Sequence, residues 1–220
     1  MKLRFQSLVF AIFLLLLACA PTNLDSDLFS GKPCKAPCWQ NLTPGQSTED
    51  DVNQFINGPN GLNWPETDSK VYDTGCKEFL AWNLNERVAL NIQEGKLMFI
   101  ETSDLYLTNL QELVDHLGPP EYFEAVLATG ADGSTYFVEV YYPSQGLAFI
   151  ATPDQNDVGY VKPTMSVSKS QYFAPGTMFT YLIARSSCFV SQSEAMDEAQ
   201  REIAKVVQPW SGFGAVKVTP

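Results

Sequence analysis

Apolar residues recur at helical spacing in three segments of the chain. This pattern predicts helices over 48–56, 108–117 and 192–207. Thr48 stands at the N-cap of the first, and acidic residues fill its first turn, where the helix dipole favours anions. Thr108 and Gln111 form a capping box at the start of the second helix. Ser191 and Glu194 form the same motif before the third.

Alternation of apolar and polar residues between these helices predicts antiparallel strands. Val88, Leu90 and Ile92 share one side of a strand, and a turn at Gly95 returns the chain into the next strand. Strands are predicted over 78–84, 87–92, 97–102, 122–129, 135–142 and 147–152, with two further strands near 164–173 and 178–185. A meander with one buried face beside a few helices is an α+β fold with an antiparallel sheet.

The first two predicted helices share a frame, in which a capping threonine is followed ten residues later by Gly-Pro. Gly58-Pro59 ends the first helix and Gly118-Pro119 ends the second, an offset of 60 residues. Each helix precedes a meander, so the frame is compatible with two tandem helix-plus-meander repeats. These repeats would cover 40–103 and 104–190, and a C-terminal helix would cover 191–208.

The N-terminal residues form a positively charged start and a short apolar run. Lys2 and Arg4 precede ten apolar residues, 8–17, and this run is too short to span a bilayer, which needs about 20 residues. The string Leu16-Leu17-Ala18-Cys19 that follows resembles the bacterial lipobox. The resemblance implies cleavage before Cys19 and attachment of acyl chains, palmitate among them, to this residue. An ordinary signal peptide with an incidental cysteine is the alternative.

The sequence therefore divides into three parts. Residues 1–18 are the expected signal peptide, 19–33 a flexible lipidated tether, and 34–220 an extracytoplasmic α+β domain. Two or more acyl chains hold a protein firmly on a bilayer, so the first expected partner is the lipid bilayer, bound through acylated Cys19. The expected location is the extracytoplasmic face of the cell membrane or of the outer membrane.

The balance of charge excludes one class of partner. Acidic residues outnumber basic ones by 25 to 14, which gives a net charge of −11 and a pI near 4.4. Phosphate backbones would be repelled, so no nucleic-acid partner is expected. Apolar residues make up 45% of the chain, which is enough for a buried core in a domain of this length.

Four cysteines remain after the lipobox: Cys34, Cys38, Cys76 and Cys188. An even number in an exported protein favours two disulfides, for which three pairings exist. Longer loops restrict the unfolded chain more, so each member of the close pair is expected to bond to one of the distant cysteines. A local Cys34–Cys38 bridge is the alternative. Zinc is disfavoured because there is no second close pair and His116 is the single histidine.

The sequence lacks the residue sets that common catalytic and metal sites need. His116 stands near the end of the second helix, a position typical of a partly exposed histidine, and no Gly-x-Ser-x-Gly motif accompanies it. The acidic run 49–51 suits a solvated helix start. Asp154 and Asp157 lie in a loop without the ligand spacing of an EF-hand. No enzymatic activity, cofactor or metal is therefore expected.

Short stretches of the chain resemble known envelope modules. Leu42-Thr43-Pro44-Gly45, followed by acidic residues and Val52, is similar to the opening of small outer-membrane assembly lipoproteins of the SmpA/OmlA type and of tandem β-lactamase-inhibitor-protein-like modules. Leu117-Gly118-Pro119-Pro120 resembles the helix end of the same modules. The Cys-x-x-x-Cys-Trp segment at 34–39 is similar to one in uncharacterised bacterial lipoproteins. The resemblance implies helices packed on an antiparallel meander and a function in binding proteins, without catalysis.

The expected function is that of a membrane-anchored protein-interaction or envelope-assembly module, with an envelope protein as its partner. The alternative is a receptor for a small ligand or glycan, since aromatic residues are dense in the C-terminal half. These residues are Tyr136, Phe137, Tyr141, Tyr142, Tyr160, Tyr172, Phe173 and Tyr181. Most are expected in the core and a minority on a solvent-facing surface. A hydrolase that relies on acidic residues is the third hypothesis.

Overall fold

The computed structural model of the chain describes eight segments: residues 27–58, 66–71, 76–83, 86–103, 109–130, 133–153, 157–186 and 193–219. Outside them lie the expected signal peptide, Cys19, Thr108, Asp154, Cys188 and Ser191. Among the helices that these eight segments form, none is long and apolar enough to cross a membrane.

The described residues form five helices and eleven strands. The helices are α1 (Asp27–Ser30), α2 (Glu49–Asn57), α3 (Leu110–Leu117), α4 (Met178–Ser186) and α5 (Ser193–Val206). The strands are β1 (Glu66–Val71), β2 (Cys76–Asn83), β3 (Glu86–Gln93), β4 (Lys96–Ser103), β5 (Tyr122–Gly130), β6 (Gly133–Tyr142), β7 (Leu147–Thr152), β8 (Tyr160–Val161), β9 (Ser166–Phe173), β10 (Gln208–Pro209) and β11 (Gly214–Ala215).

Nine of these strands make one antiparallel sheet, in the order β1-β2-β3-β4-β9-β7-β6-β5-β10. Strands β1 to β4 follow α2 along the chain, and β5, β6, β7 and β9 follow α3. The two runs of strands meet where β4 pairs with β9. Strands β8 and β11 form a separate small sheet. The predicted α+β class with an antiparallel meander is confirmed.

Helix α2 begins at the predicted cap. Thr48 Oγ1 accepts the Asp51 backbone N–H at 3.3 Å, and Asp51 Oδ2 accepts the Thr48 N–H at 2.7 Å. This reciprocal pair satisfies two donors that a helix start leaves without partners. The bond from the Thr48 backbone, and then the one from its side chain, lower the pKa of the Asp51 carboxyl.

The N-cap of helix α3 lies one residue later than predicted, so the assignment of Thr108 as the N-cap is wrong. Asn109 takes that position, because its Oδ1 accepts the Glu112 N–H at 3.0 Å. The other end is as predicted. Gly118 has φ +82° and donates its N–H to the Val114 carbonyl at 2.9 Å, which suits a residue without a side chain.

The segment 178–185 is helical, and its prediction as a strand is wrong. Tyr181 and Leu182 are buried, as are the two residues that follow them. Four consecutive residues of a helix point to all of its sides, so α4 has buried apolar side chains around its whole circumference. A short continuous apolar run has no period that separates a strand from a buried helix. Tyr181 donates its N–H to the Thr177 carbonyl at 2.9 Å and so closes the first turn.

The sheet is covered on both faces at its centre. On the first face, residues of β3 and β4 pack with Val52 of α2 and Leu110 of α3. On the second face, residues of β4, β6 and β9 pack with α4, and Ile203 of α5 packs against them. Ala89 and Asn91 point to the second face and are each 4% exposed. The expectation of a meander with only one buried face is therefore wrong here.

The C-terminal tail docks on the sheet. Trp210 lies edge-on to Phe123 at 5.8 Å and to Phe213 at 5.5 Å between ring centroids. Residues 208–209 pair with β5, and Leu127 donates its N–H to the Thr219 carbonyl at 2.9 Å. The tail therefore lies along the β5 side of the sheet.

Residues 27–33, at the end of the expected tether, contact the folded body. Leu28 packs against the core of the first face. Phe29 stacks on His116, with 4.5 Å between the ring centroids. The rest of the expected tether, 19–26, lies outside the described residues.

Candidate functional site

Charged and polar side chains gather on the second face of the sheet, beside the apolar contacts of α4. The polar cluster, as we call it, comprises Glu101, Glu124, Glu139, Tyr141, Lys169, Gln171, Tyr181 and Arg185. Directly opposite residues of paired antiparallel strands share one face. Glu101 lies opposite Gln171, and Glu124 lies opposite Glu139. Lys169 and Glu139 both lie opposite Ile150 of β7, so the register joins five strands at this site.

At one end of the polar cluster, Glu101 is held by two residues of β9. Lys169 Nζ lies 2.8 Å from Glu101 Oε1, and Gln171 Nε2 donates to Glu101 Oε2 at 3.0 Å. Burial acts to raise the pKa of the Glu101 carboxyl, but the charge and hydrogen bond of Lys169, with the bond from Gln171, outweigh it and lower the pKa overall. Glu101 is therefore held in its ionised form.

Glu139 is the enclosed carboxylate of the polar cluster, with 1% of its side chain exposed. Arg185 Nη1 donates to Glu139 Oε1, and Tyr181 Oη donates to the same oxygen at 3.3 Å. Burial acts to lower the pKa of the Arg185 guanidinium, but the charge of Glu139 outweighs it and raises the pKa. A buried charge of this kind is tolerated when it is paired and hydrogen-bonded.

Glu124 differs from the other two carboxylates because it forms no ion pair with a described cation. Tyr141 Oη donates to its Oε2 at 3.3 Å. Burial first, and then the negative charge of Glu139, raise the pKa of the Glu124 carboxyl, although the bond from Tyr141 acts in the opposite direction. Three carboxylates thus face two cations, and Glu124 carries the uncompensated charge.

The side of the polar cluster around Glu124 combines this charge with half-buried apolar side chains. By strand alternation, Val126, Phe137 and Ile150 lie on the same face as Glu124, and each is partly exposed. Apolar residues beside a few charges are typical of a protein-contact surface. A carboxylate pair that acts on a substrate needs both groups within reach of it, and the enclosure of Glu139 does not suit that role.

The acidic residues singled out in the sequence do not join the polar cluster. Glu49 pairs with Lys77 at 2.7 Å, Asp50 is exposed, and Asp51 caps α2. Asp157 pairs with Lys162. No group of three metal-ligating side chains is found in the part of the chain that the structure describes.

The cysteine pair near the N-terminus forms the local bridge. Cys34 and Cys38 are disulfide-bonded with their Cα atoms 5.6 Å apart. The expectation that each would bond to a distant cysteine is therefore wrong, because a turn in which Cys38 donates its N–H to the Lys35 carbonyl at 3.0 Å brings them together. Cys76 is also disulfide-bonded, and its partner lies outside the described residues.

Most of the aromatic residues of the C-terminal half are in the core, as expected. The buried ones are Tyr136, Tyr141, Tyr142, Tyr172, Phe173 and Tyr181. Phe137 is partly exposed and Tyr160 is 50% exposed.

A small cavity lies beside the N-terminal disulfide, between Trp39 and Lys32. Its volume is about 10 Å³, which is room for about one water molecule. The Trp39 indole Nε1 is buried and has no hydrogen-bond partner among the described residues. A cavity of this size is too small for a sugar.

A charged residue inside an apolar strand is the signal for the polar cluster in the sequence. Glu139 stands between Val138 and Val140 in a predicted strand. A charge inside an apolar strand indicates a paired or functional group, because an unpaired buried carboxylate is costly. Its partner Arg185 lay in the segment that was predicted as a strand, so the pair was not apparent.

Comparison with known proteins identifies no family for the chain. No family model matches it, and neither does any curated protein. Among solved structures, it is similar to a cysteine-rich secretory protein of Staphylococcus aureus subsp. aureus Mu50, with 9% identity and a TM-score of 0.33. The match covers 63% of this chain and 48% of that protein, so it spans about half the length of that protein. A similarity of this size defines neither fold nor function.

Proposed function

We propose that the protein is a lipid-anchored extracytoplasmic module that acts by binding another protein, with the side of the polar cluster around Glu124 as its contact surface. The observation that carries this proposal is the uncompensated carboxylate of Glu124 beside the half-buried Val126 and Phe137. A partner that places a cation at Glu124 and apolar groups beside it would satisfy both.

The charge of the whole chain supports a basic partner. The chain carries a net charge of −11, which steers basic surfaces towards it and repels acidic ones. A protein with an exposed lysine or arginine beside apolar side chains fits this surface. The aromatic residues give less support to a ligand receptor, because the described ones are mostly in the core.

The lipid anchor is tested by labelling. Cells that express the full chain are fed an alkyne-tagged fatty acid, and the purified protein is examined by intact-mass spectrometry. We expect label on the wild type, loss of residues 1–18, and no label on Cys19→Ser. A chain that keeps residues 1–18 and carries no acyl group would contradict this part of the proposal.

The contact surface is tested with a photo-crosslinking amino acid at position 137 of the anchored protein in living cells. We expect one discrete adduct, which Glu124→Lys removes because that change reverses the charge offered to the partner. The matched control places the same group at position 198, which is exposed on α5. The proposal fails if both positions give the same adducts, or if the adduct at 137 persists in Glu124→Lys.

A further inference from the structure

The outer edge of β1 is open among the described residues. Strand β1 is the first strand of the nine-stranded sheet and pairs with β2 on its inner side. Residues 67–71 are all exposed, and Val71, at 72%, is the most exposed of the large apolar residues described. An open edge presents backbone donors and acceptors to which another strand can pair.

The charges along β1 are complementary to those of a second, antiparallel copy of the same strand. Two copies related by a two-fold axis normal to the sheet keep each face continuous only when one residue of the strand lies opposite its own copy, with the axis midway between the two. With the axis at Ser69, Asp68 of each copy lies opposite Lys70 of the other. An axis at residue 68 places Asp68 against Asp68, and an axis at residue 70 places Lys70 against Lys70.

The register centred on Ser69 is favourable on both faces. Asp68 and Lys70 share the second face, where the two copies form two opposite-charge pairs. Thr67 and Val71 share the first face. There, Thr67 of each copy lies opposite Val71 of the other copy, and two β-branched residues are well suited to such a pair. Lys70 also lies opposite Glu78 of its own β2, so the lysine is placed between two carboxylates in the dimer.

We propose that β1 pairs antiparallel with β1 of a second copy of this chain, with Ser69 opposite Ser69, so that the two sheets become one. This proposal is independent of the proposed protein partner at Glu124, because β1 and β5 lie near opposite edges of the sheet. A six-residue strand pair is a small interface, and anchoring to one membrane would strengthen it by raising the local concentration.

The first test introduces a cysteine at the centre of the proposed pair. Ser69→Cys in the full chain is treated with a mild thiol oxidant, which joins two thiols as a disulfide. We expect a dimer on a non-reducing gel that reductant removes. Ser134→Cys is the matched control, because residue 134 is an exposed serine at the far hairpin of the sheet. Equal cross-linking of the two variants would overturn the proposal.

The second test is charge complementation. Asp68→Lys alone and Lys70→Glu alone each place like charges opposite one another in the dimer, so we expect about tenfold weaker self-association by sedimentation. Mixed together, the two variants restore both opposite-charge pairs and should associate as the wild type does. A wild type that stays monomeric at all concentrations, or variants that do not complement, would show that β1 does not pair with itself.

Discussion

Glu124 lies directly opposite Glu139 in the β5–β6 pair, and the two carboxylates have different surroundings. Glu139 is enclosed and paired with Arg185, whereas Glu124 accepts a hydrogen bond from Tyr141 and forms no ion pair with a described cation. Like charges that face each other across a strand pair are unfavourable. Glu139 is therefore stabilised by its ion pair with Arg185. In the proposed complex, a cation of the partner would offset the charge of Glu124.

Removal of Arg185, the cation that pairs with the buried Glu139, is expected to destabilise the fold. Arg185→Met leaves a carboxylate buried without its cation, which lowers the free energy of unfolding by about 3 kcal/mol. Urea unfolding followed by circular dichroism measures the change. Arg201→Met is the control, because Arg201 is exposed on α5, and its effect should stay below about 0.5 kcal/mol. Equal effects of the two variants would contradict the structural role of the pair.

Glu124 is expected to make stability fall as pH rises. Its pKa is raised in the folded state by burial and by Glu139, so the stability that it contributes is complete below the pKa of the unfolded chain and is lost as pH rises through the folded pKa. Glu124→Gln removes this loss. The variant should therefore gain stability relative to the wild type as pH rises from about 4 to 7.

Urea unfolding of Glu124→Gln and of the wild type at several pH values in this range measures the difference. Glu198→Gln, on the exposed side of α5, is the matched control and should show no such trend. A difference between Glu124→Gln and the wild type that stays constant with pH would exclude the raised pKa.

Elements with local patterns were predictable from the sequence. Helix α2 and the β3–β4 hairpin each depend on residues within about ten positions of one another, so periodicity, capping and turn residues were sufficient. Helix α4 was not predictable in this way, because its apolar side chains pack on both the sheet and α5. The tertiary environment, and not a local period, makes it a helix.

The polar cluster was beyond local pattern because its members are distant in sequence. Lys169 and Glu101 are 68 residues apart and meet because β9 pairs with β4. Nothing within either strand indicates that pairing. Strand β1 was missed for a different reason, since its exposed polar residues lack the apolar alternation by which strands are recognised.

Cys76 and Cys188 are expected to form the second disulfide. Cys76 is disulfide-bonded, Cys34 bonds to Cys38, and Cys19 is the expected lipidation site, which leaves Cys188. Peptide mapping without reductant should recover the Cys76–Cys188 pair and the Cys34–Cys38 pair. Recovery of Cys188 as a free thiol would contradict this pairing.

The two bridges should differ in their effect on stability. Replacing both members by alanine should cost about 5 kcal/mol for Cys76 with Cys188 and about 2 kcal/mol for Cys34 with Cys38, because the first closes a far longer loop. Thermal unfolding of the two double variants compares them. A larger loss for the short loop would show that loop closure does not dominate.

Gly146 is expected to be the glycine that tolerates a side chain least. It has φ +69°, and a Cβ there would lie 2.2 Å from the Phe173 carbonyl oxygen and 2.9 Å from Pro37 Cβ. Its own carbonyl accepts the Phe173 N–H at 2.9 Å, so the β6–β7 turn cannot shift without loss of that bond. Gly146→Ala should lower the free energy of unfolding by about 3 kcal/mol or more.

Gly176→Ala is the matched control, because Gly176 has φ +78° with open space around it. This substitution should lower the free energy of unfolding by about 1 kcal/mol. Equal losses in denaturant unfolding would mean that backbone strain alone, without the contact to Phe173, accounts for the effect.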